Sequence, residues 1–156
     1  MKAEQVTLFA GAIALALLLG ALFFQYGLNY PPCEMCHWQR WPHIAAAIVG
    51  IGGWLLLRQG VLSATVALPL AVLTLLLVAT SGALGVYHAG VEWQWWPGPS
   101  ACTTGYVFTG NLDLNAPVPR CDVAAWRLLG ISMAGYNAVI SLGTAILGAI
   151  FLVRKS

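Results

Sequence analysis

Pro31-Pro32-Cys33-Glu34-Met35-Cys36-His37-Trp38-Gln39-Arg40 lies between an apolar run ending near Leu28 and another beginning near Pro42. Two prolines close the first run, because proline lacks a backbone donor and disfavours a helical residue before it. The paired thiols therefore sit at the mouth of a helical hairpin, with Arg40 one helical turn beyond Cys36. Such a spacing suits reversible disulfide chemistry, zinc binding or no chemistry at all, and the rest of the chain has to decide.

Outward from this stretch the chain is apolar. Hydrophobic residues make up 60% of the 156 and charged residues 8%, against roughly 25% charged in soluble domains. A membrane-crossing helix needs about 20 mostly apolar residues. Four such stretches fit, at about 6–28, 41–57, 62–87 and 128–153. The expected fold is all-α: one membrane domain over 1–156, a four-transmembrane-helix bundle with outer loops at 29–40 and 88–127. The second span starts inside the motif, near Met35, if Cys36 and Arg40 share a helical face at i, i+4. Val6 to Leu28 exceeds the usual core of a signal peptide and no small-x-small pattern follows it, so a retained first span is expected. A net charge of +2 without a basic cluster gives no footprint for nucleic acid.

Several finer expectations follow. Ala12, Ala16 and Gly20 in the first span, and Ser141, Ala145 and Ala149 in the fourth, form candidate close-packing stripes. Pro69 is expected to kink the third span. The long loop carries Trp93, Trp95 and Trp96, which favour the headgroup level of a bilayer. Lys2, Arg58, Arg154 and Lys155 lie on one side of the membrane, and Arg40, Arg120 and Arg127 on the other. Glu34, Glu92, Asp113 and Asp122 share the second side. The excess of basic residues puts both termini in the cytoplasm, which leaves the cysteine loops in an oxidising compartment.

The four cysteines fall two in each outer loop, Cys33 with Cys36 and Cys102 with Cys121. Two pairs facing one compartment can form a relay, since thiolates pass electrons by attacking disulfides. By position, the loop pair meets a soluble partner and the membrane-surface pair meets a lipid-soluble acceptor. Arg40 favours a thiolate and offers a donor to a carbonyl, or else snorkels to the interface. Histidine is the side chain whose ordinary titration falls near neutral pH, and the chain holds His37, His43 and His88. His37, next to Cys36, is a candidate proton carrier, and His88 with Glu92 shares a helical face near the start of the long loop. Simple solvation is the alternative for each histidine. A zinc site completed by His37 is the metal alternative, but the second cysteine pair lacks knuckle spacing, so no metal is expected.

Pro32-Cys33-x-x-Cys36-x-x-x-Arg40 opening the second of four spans, with Cys102 and Cys121 in the last outer loop, resembles the disulfide bond formation protein B (DsbB) family of quinone-linked membrane thiol oxidases. Val118-Pro119-Arg120-Cys121-Asp122, Trp126 and Leu129-Gly130-Ile131-Ser132-Met133 resemble that family's approach to its final helix. The resemblance covers the whole chain. It implies a protein-dithiol:quinone oxidoreductase of the bacterial inner membrane, using ubiquinone or menaquinone. Its implied partner is a periplasmic thioredoxin-fold oxidase of the DsbA type. It further implies that Cys102 forms the mixed disulfide with that partner, that Cys121 resolves it and exchanges with Cys33, and that Cys36 is released beside the quinone. On this reading Cys36, Arg40, His37, His88 and Glu92 are the candidate quinone-binding residues. Electrons moved uphill cost about 4.6 kcal/mol per 100 mV for two electrons, so an acceptor of higher potential is required. Nothing in the sequence calls for an oligomer, and a monomer is expected. The rivals are a vitamin K epoxide reductase-like enzyme, whose CxxC would come late in the bundle, and a non-enzymatic membrane scaffold with static loop disulfides.

Overall fold

The structure, a computed structural model, describes residues 1–103 and 119–154. Asp113, Lys155 and the Gly-, Thr- and Asn-rich segment that follows Cys102 lie outside the described residues.

Among the described residues, four helical segments are long and apolar enough to cross a membrane: Ala3–Gly27, Glu34–Arg58, Ala64–Glu92 and Met133–Val153. The first contains α1 (Ala3–Leu22) and a π-helical turn, Phe23–Gly27. The second contains α2 (Glu34–Ala47), a π-helical turn at Ile48–Gly52, and α3 (Gly53–Arg58). The third is a 3₁₀ turn, Ala64–Val66, running into α4 (Ala67–Glu92). After a four-residue helix, α5 (Ser100–Thr103), a two-stranded hairpin pairs β1 (Arg127–Leu128) with β2 (Ile131–Ser132) and leads into α6 (Met133–Val153). The expected all-α four-helix bundle is the fold found.

Helix α4 packs against α1, α2 and α6 and so forms the centre of the bundle. Small side chains allow this. Val6, Ala10, Ala14, Ala46, Ala71, Leu75 and Val78 make the apolar core. Leu19, Ile48, Leu55, Leu73, Leu76, Val139, Ile146 and Leu147 remain exposed on the outside, where lipid tails replace protein as the apolar surround.

The packing stripes differ from those expected. Ala12, Ala16 and Gly20 are exposed on α1, and Thr7, Ala10, Gly11 and Ala14 face the bundle instead. The face is fixed by Gly11, where a Cβ would lie 2.9 Å from the Cα of Gly50. On α6 the packed residues are Ala134, Ala138, Ser141, Thr144 and Gly148, so of the expected stripe Ser141 is buried, Ala145 half-buried and Ala149 exposed. Pro69, expected to kink the third span, lies at the start of its helix and not in its middle. It sits in the first turn of α4, where backbone N–H groups have no helical partner and proline is tolerated.

Helix α2 begins at Glu34, inside the motif, with Cys33 as its N-cap. Asn29, at φ 57°, ends the preceding span in the left-handed region, which asparagine tolerates better than most residues. The last span starts at Met133 rather than 128, because Leu129 and Gly130 both adopt positive φ, 51° and 81°. Two successive left-handed residues make a tight hairpin turn and cannot begin a helix. Ser132 then caps α6, its Oγ accepting from the Gly135 N–H at 3.2 Å.

Candidate functional site

The N-terminus of α2 brings the motif cysteines together. Cys33 Sγ accepts from the Cys36 backbone N–H at 3.3 Å, and the two sulfurs stand 2.8 Å apart. Closing that gap to a disulfide of about 2.05 Å needs a sub-ångström movement. Two thiolates on tetrahedral zinc, with bonds of about 2.3 Å, would sit about 3.7 Å apart. Cys33, Cys36 and His88 do offer three ligand atoms within 4.8 Å, yet the sulfur spacing fits S–S bond formation better than a shared metal. The hydrogen bond to Cys36, and then burial, hold the Cys33 thiol well above its ordinary pKa. Cys33 therefore keeps its proton.

Cys102 and Cys121 form a disulfide with Cα atoms 5.5 Å apart. The Cys121 N–H also donates to the Cys102 carbonyl at 3.0 Å. From the sequence this pair is expected within reach of a soluble partner, and in the structure it is buried. Cys102 is 8% exposed and Cys121 fully buried, because Met35 and Val91 cover them in one cluster with Cys33 and Cys36. All four cysteines thus pack together at the C-terminal end of α4. Gln94 Nε2 fastens the segment there by donating to the Asp122 carbonyl at 3.2 Å. Next to Cys121, the Arg120 guanidinium pairs with Asp122 at 2.9 and 2.6 Å and holds its carboxyl below the usual range.

Beside the cysteines lies a cavity of about 660 Å³, within the size range of small-molecule sites. Cys33, Cys36, Arg40, His43, His88 and Glu92 contribute to its wall, along with apolar groups such as Leu17, Phe24 and Trp126. Arg40 reaches back to the end of the first span, donating to Gln25 Oε1 and, at 3.4 Å, to the Ala21 carbonyl. Its Nε remains buried without a partner, as do His43 Nδ1 and Glu92 Oε2. His88 Nε2 sits 3.6 Å from Cys33 Sγ and 3.7 Å from Glu92 Oε1. Of the candidates named from sequence, Cys36, Arg40, His88 and Glu92 meet at the cavity. His37 does not. It points outward from α2 and is exposed.

Sequence reasoning missed the polar chain behind the cavity. Gln39 Nε2 lies 2.8 Å from His88 Nδ1, and Asn137 Nδ2 donates to Gln39 Oε1 at 2.7 Å. His43 Nε2 lies 2.8 Å from Asn137 Oδ1. The signal was present: Cys36, Gln39, Arg40 and His43 follow i, i+3, i+4, i+7, a polar stripe on one face of a membrane helix.

A close thiol pair beside an apolar cavity, backed by a buried disulfide in a four-helix membrane bundle, points to a multi-pass membrane protein of thiol–disulfide chemistry. The comparisons agree. The model of the family "Disulfide bond formation protein DsbB" matches residues 3–151. A disulfide bond formation protein B of Pasteurella multocida is 31% identical over 93% of this chain and 82% of its own length. One of Shewanella frigidimarina is 32% identical over 90% and 82%. An uncharacterized protein of Rickettsia prowazekii, RP370, is 26% identical over 92% and 85%. No solved structure gives a significant match. The chain belongs to the DsbB family, and is a disulfide-forming oxidoreductase of the bacterial membrane.

Proposed function

We propose that this protein is a membrane thiol:quinone oxidoreductase that reoxidises a periplasmic thioredoxin-fold oxidase of the DsbA type. Both termini are then cytoplasmic and the cysteine clusters periplasmic, in the inner membrane. The observation that carries the reading is the packing of the Cys102–Cys121 disulfide against a Cys33–Cys36 pair that lines the cavity.

The relay balances as follows. A partner thiolate attacks the Cys102 sulfur, breaking the Cys102–Cys121 bond and forming a mixed disulfide. The second partner thiol displaces Cys102, so the partner leaves oxidised and Cys102 and Cys121 hold two electrons. With Cys33 and Cys36 joined, Cys121 attacks the Cys33 sulfur and frees Cys36 on the cavity wall. Cys102 then attacks Cys121, restoring the loop disulfide and releasing Cys33. The two electrons now reside in the Cys33–Cys36 dithiol.

A quinone, ubiquinone or menaquinone, fits the cavity. Such a ring is flat and apolar with two acceptor oxygens, and the wall is mostly apolar with a buried, unpartnered donor at Arg40 Nε. When bound, it supplies the two-electron sink. Cys36 and Arg40 line one helical face toward it. His88 Nε2 stands 3.6 Å from Cys33 Sγ, placed to donate to that sulfur when it is released as a thiolate, with Glu92 one turn further along α4.

The test is quinone absorbance while a reduced thioredoxin-fold oxidase is added to the purified protein, beside Cys36→Ser and Cys102→Ser. Quinone loss that needs both cysteines is expected. Unchanged quinone with all four cysteines fixed in disulfides would leave a stapled scaffold.

A further inference from the structure

Two backbone carbonyls fix every amide in the polar chain. Gln39 Nε2 is 3.1 Å from the Met35 carbonyl oxygen, and Asn137 Nδ2 is 3.1 Å from that of Ser81. A carbonyl only accepts, so both NH₂ groups are placed without a flip. The rest follows in sequence. Asn137 Nδ2 donates to Gln39 Oε1, and Gln39 Nε2 donates to His88 Nδ1, so the proton of neutral His88 is on Nε2, toward Cys33. At the other end Asn137 Oδ1 accepts from Ser141 Oγ at 2.8 Å and from His43 Nε2 at 2.8 Å. Neutral His43 is therefore protonated on Nε2, and its Nδ1 carries a bare lone pair.

That lone pair has no partner. His43 is 3% exposed, its Nδ1 is buried without a hydrogen bond, and the residue lines the cavity. Arg40 belongs to the same wall, and its Nε is a buried donor with no acceptor. An oxidised quinone offers only acceptors and so can satisfy Arg40 but not His43. A quinol offers hydroxyl donors and can satisfy His43 Nδ1. We infer that His43 Nδ1 is the hydrogen-bond acceptor for the hydroxyl of a reduced quinone in this cavity, with Asn137 as the positioning residue that holds its tautomer. The inference rests on the quinone reading and adds a group that distinguishes the two redox forms of the ligand.

The experiment uses the full chain in detergent with Cys33 and Cys36 both changed to Ala, so that neither ligand reacts. A short-chain benzoquinone and its quinol are titrated anaerobically into protein labelled with ¹⁵N-histidine. Free protein is expected to show His43 Nδ1 unprotonated and Nε2 protonated. Quinol is expected to move the Nδ1 resonance, while quinone leaves it in place. His43→Leu is expected to weaken quinol binding about tenfold, the weight of one hydrogen bond to a buried group, with quinone affinity changed less than about twofold. Asn137→Leu is expected to mix the two His43 tautomers. A proton on Nδ1 in the unliganded protein overturns the inference without needing any variant to fold. Equal loss of both ligands in His43→Leu overturns it while the quinone reading stands. Failure of both ligands to bind overturns the quinone reading itself.

Discussion

Gln39 and His88, on neighbouring helices, meet at 2.8 Å with the Gln39 amide group pointed at the imidazole Nδ1. Since Gln39 also anchors Asn137, one side chain joins α2 to both α4 and α6. Gln39→Leu strands a buried donor and a buried acceptor, each costing about 1–3 kcal/mol. The expected result is a clear fall in thermal stability in detergent. Gln39→Glu is expected to keep much of the stability but draw the proton of His88 to Nδ1. Slower Cys33–Cys36 turnover with an altered ¹⁵N signature of His88 checks this, and an unaltered signature would count against the assigned amide orientation.

The path of exchange is open to trapping. In Cys102→Ser, Cys121 has lost its partner and stands within the same cluster as Cys33. Peptide mapping without reductant is expected to show a Cys33–Cys121 link with Cys36 free to alkylate. A Cys36–Cys121 link would reverse the order of attack.

The Cys33 thiol is raised by its hydrogen bond to Cys36 and by burial. A raised thiol pKa leaves less thiolate at any pH below it, so the reduced protein should resist alkylation at Cys33 through the neutral range. Reactivity should appear only as pH climbs past the ordinary thiol range. Cys36→Ala removes the larger cause and is expected to bring Cys33 modification to lower pH. Mass spectrometry of the modified peptide at several pH values measures it.

Gly50 admits no side chain. A Cβ there would lie 2.6 Å from Gly11 Cα, so Gly50→Leu must separate the first two spans. Overpacking of this kind costs roughly 1–3 kcal/mol or more, read as a lower midpoint of thermal unfolding. Gly20→Ala, with nothing within 4 Å of its Cβ position, is the matched control and is expected to be neutral.

Leu129 occupies a left-handed position in the hairpin turn, with φ 51°. Leu129→Asn creates the Asn-Gly pair that such turns prefer. A gain of about 0.5–1 kcal/mol is expected from relieving the backbone cost.

How much of this could be read from the residues depended on the kind of signal. Long apolar runs and two prolines marked the spans and the start of α2, because burial in lipid and the missing proline donor act locally. The Ala12, Ala16, Gly20 stripe misled because small residues at a four-residue spacing do not say which face a partner takes. That choice was made by Gly11 meeting Gly50, thirty-nine positions apart. The hairpin was hidden because Leu129 is an unusual residue for a left-handed turn. Cys102 and Cys121 were visible as a pair but not as a buried one, since Met35 and Val91 reach them only through the tertiary fold. Asn137 went unnoticed as a lone amide in an apolar span. Its meaning comes from the partners that α2 and α4 bring to it.

The cover over the sulfurs has a consequence best put in electrical terms. Cys33 is 4% exposed, Cys102 8% and Cys121 not at all, so three of the four contacts in the circuit are sheathed. A freely diffusing small thiol finds almost no bare conductor to touch. In the proposed relay a folded partner has to displace that sheath to reach Cys102, whereas a small thiol in solution meets the insulation and not the wire.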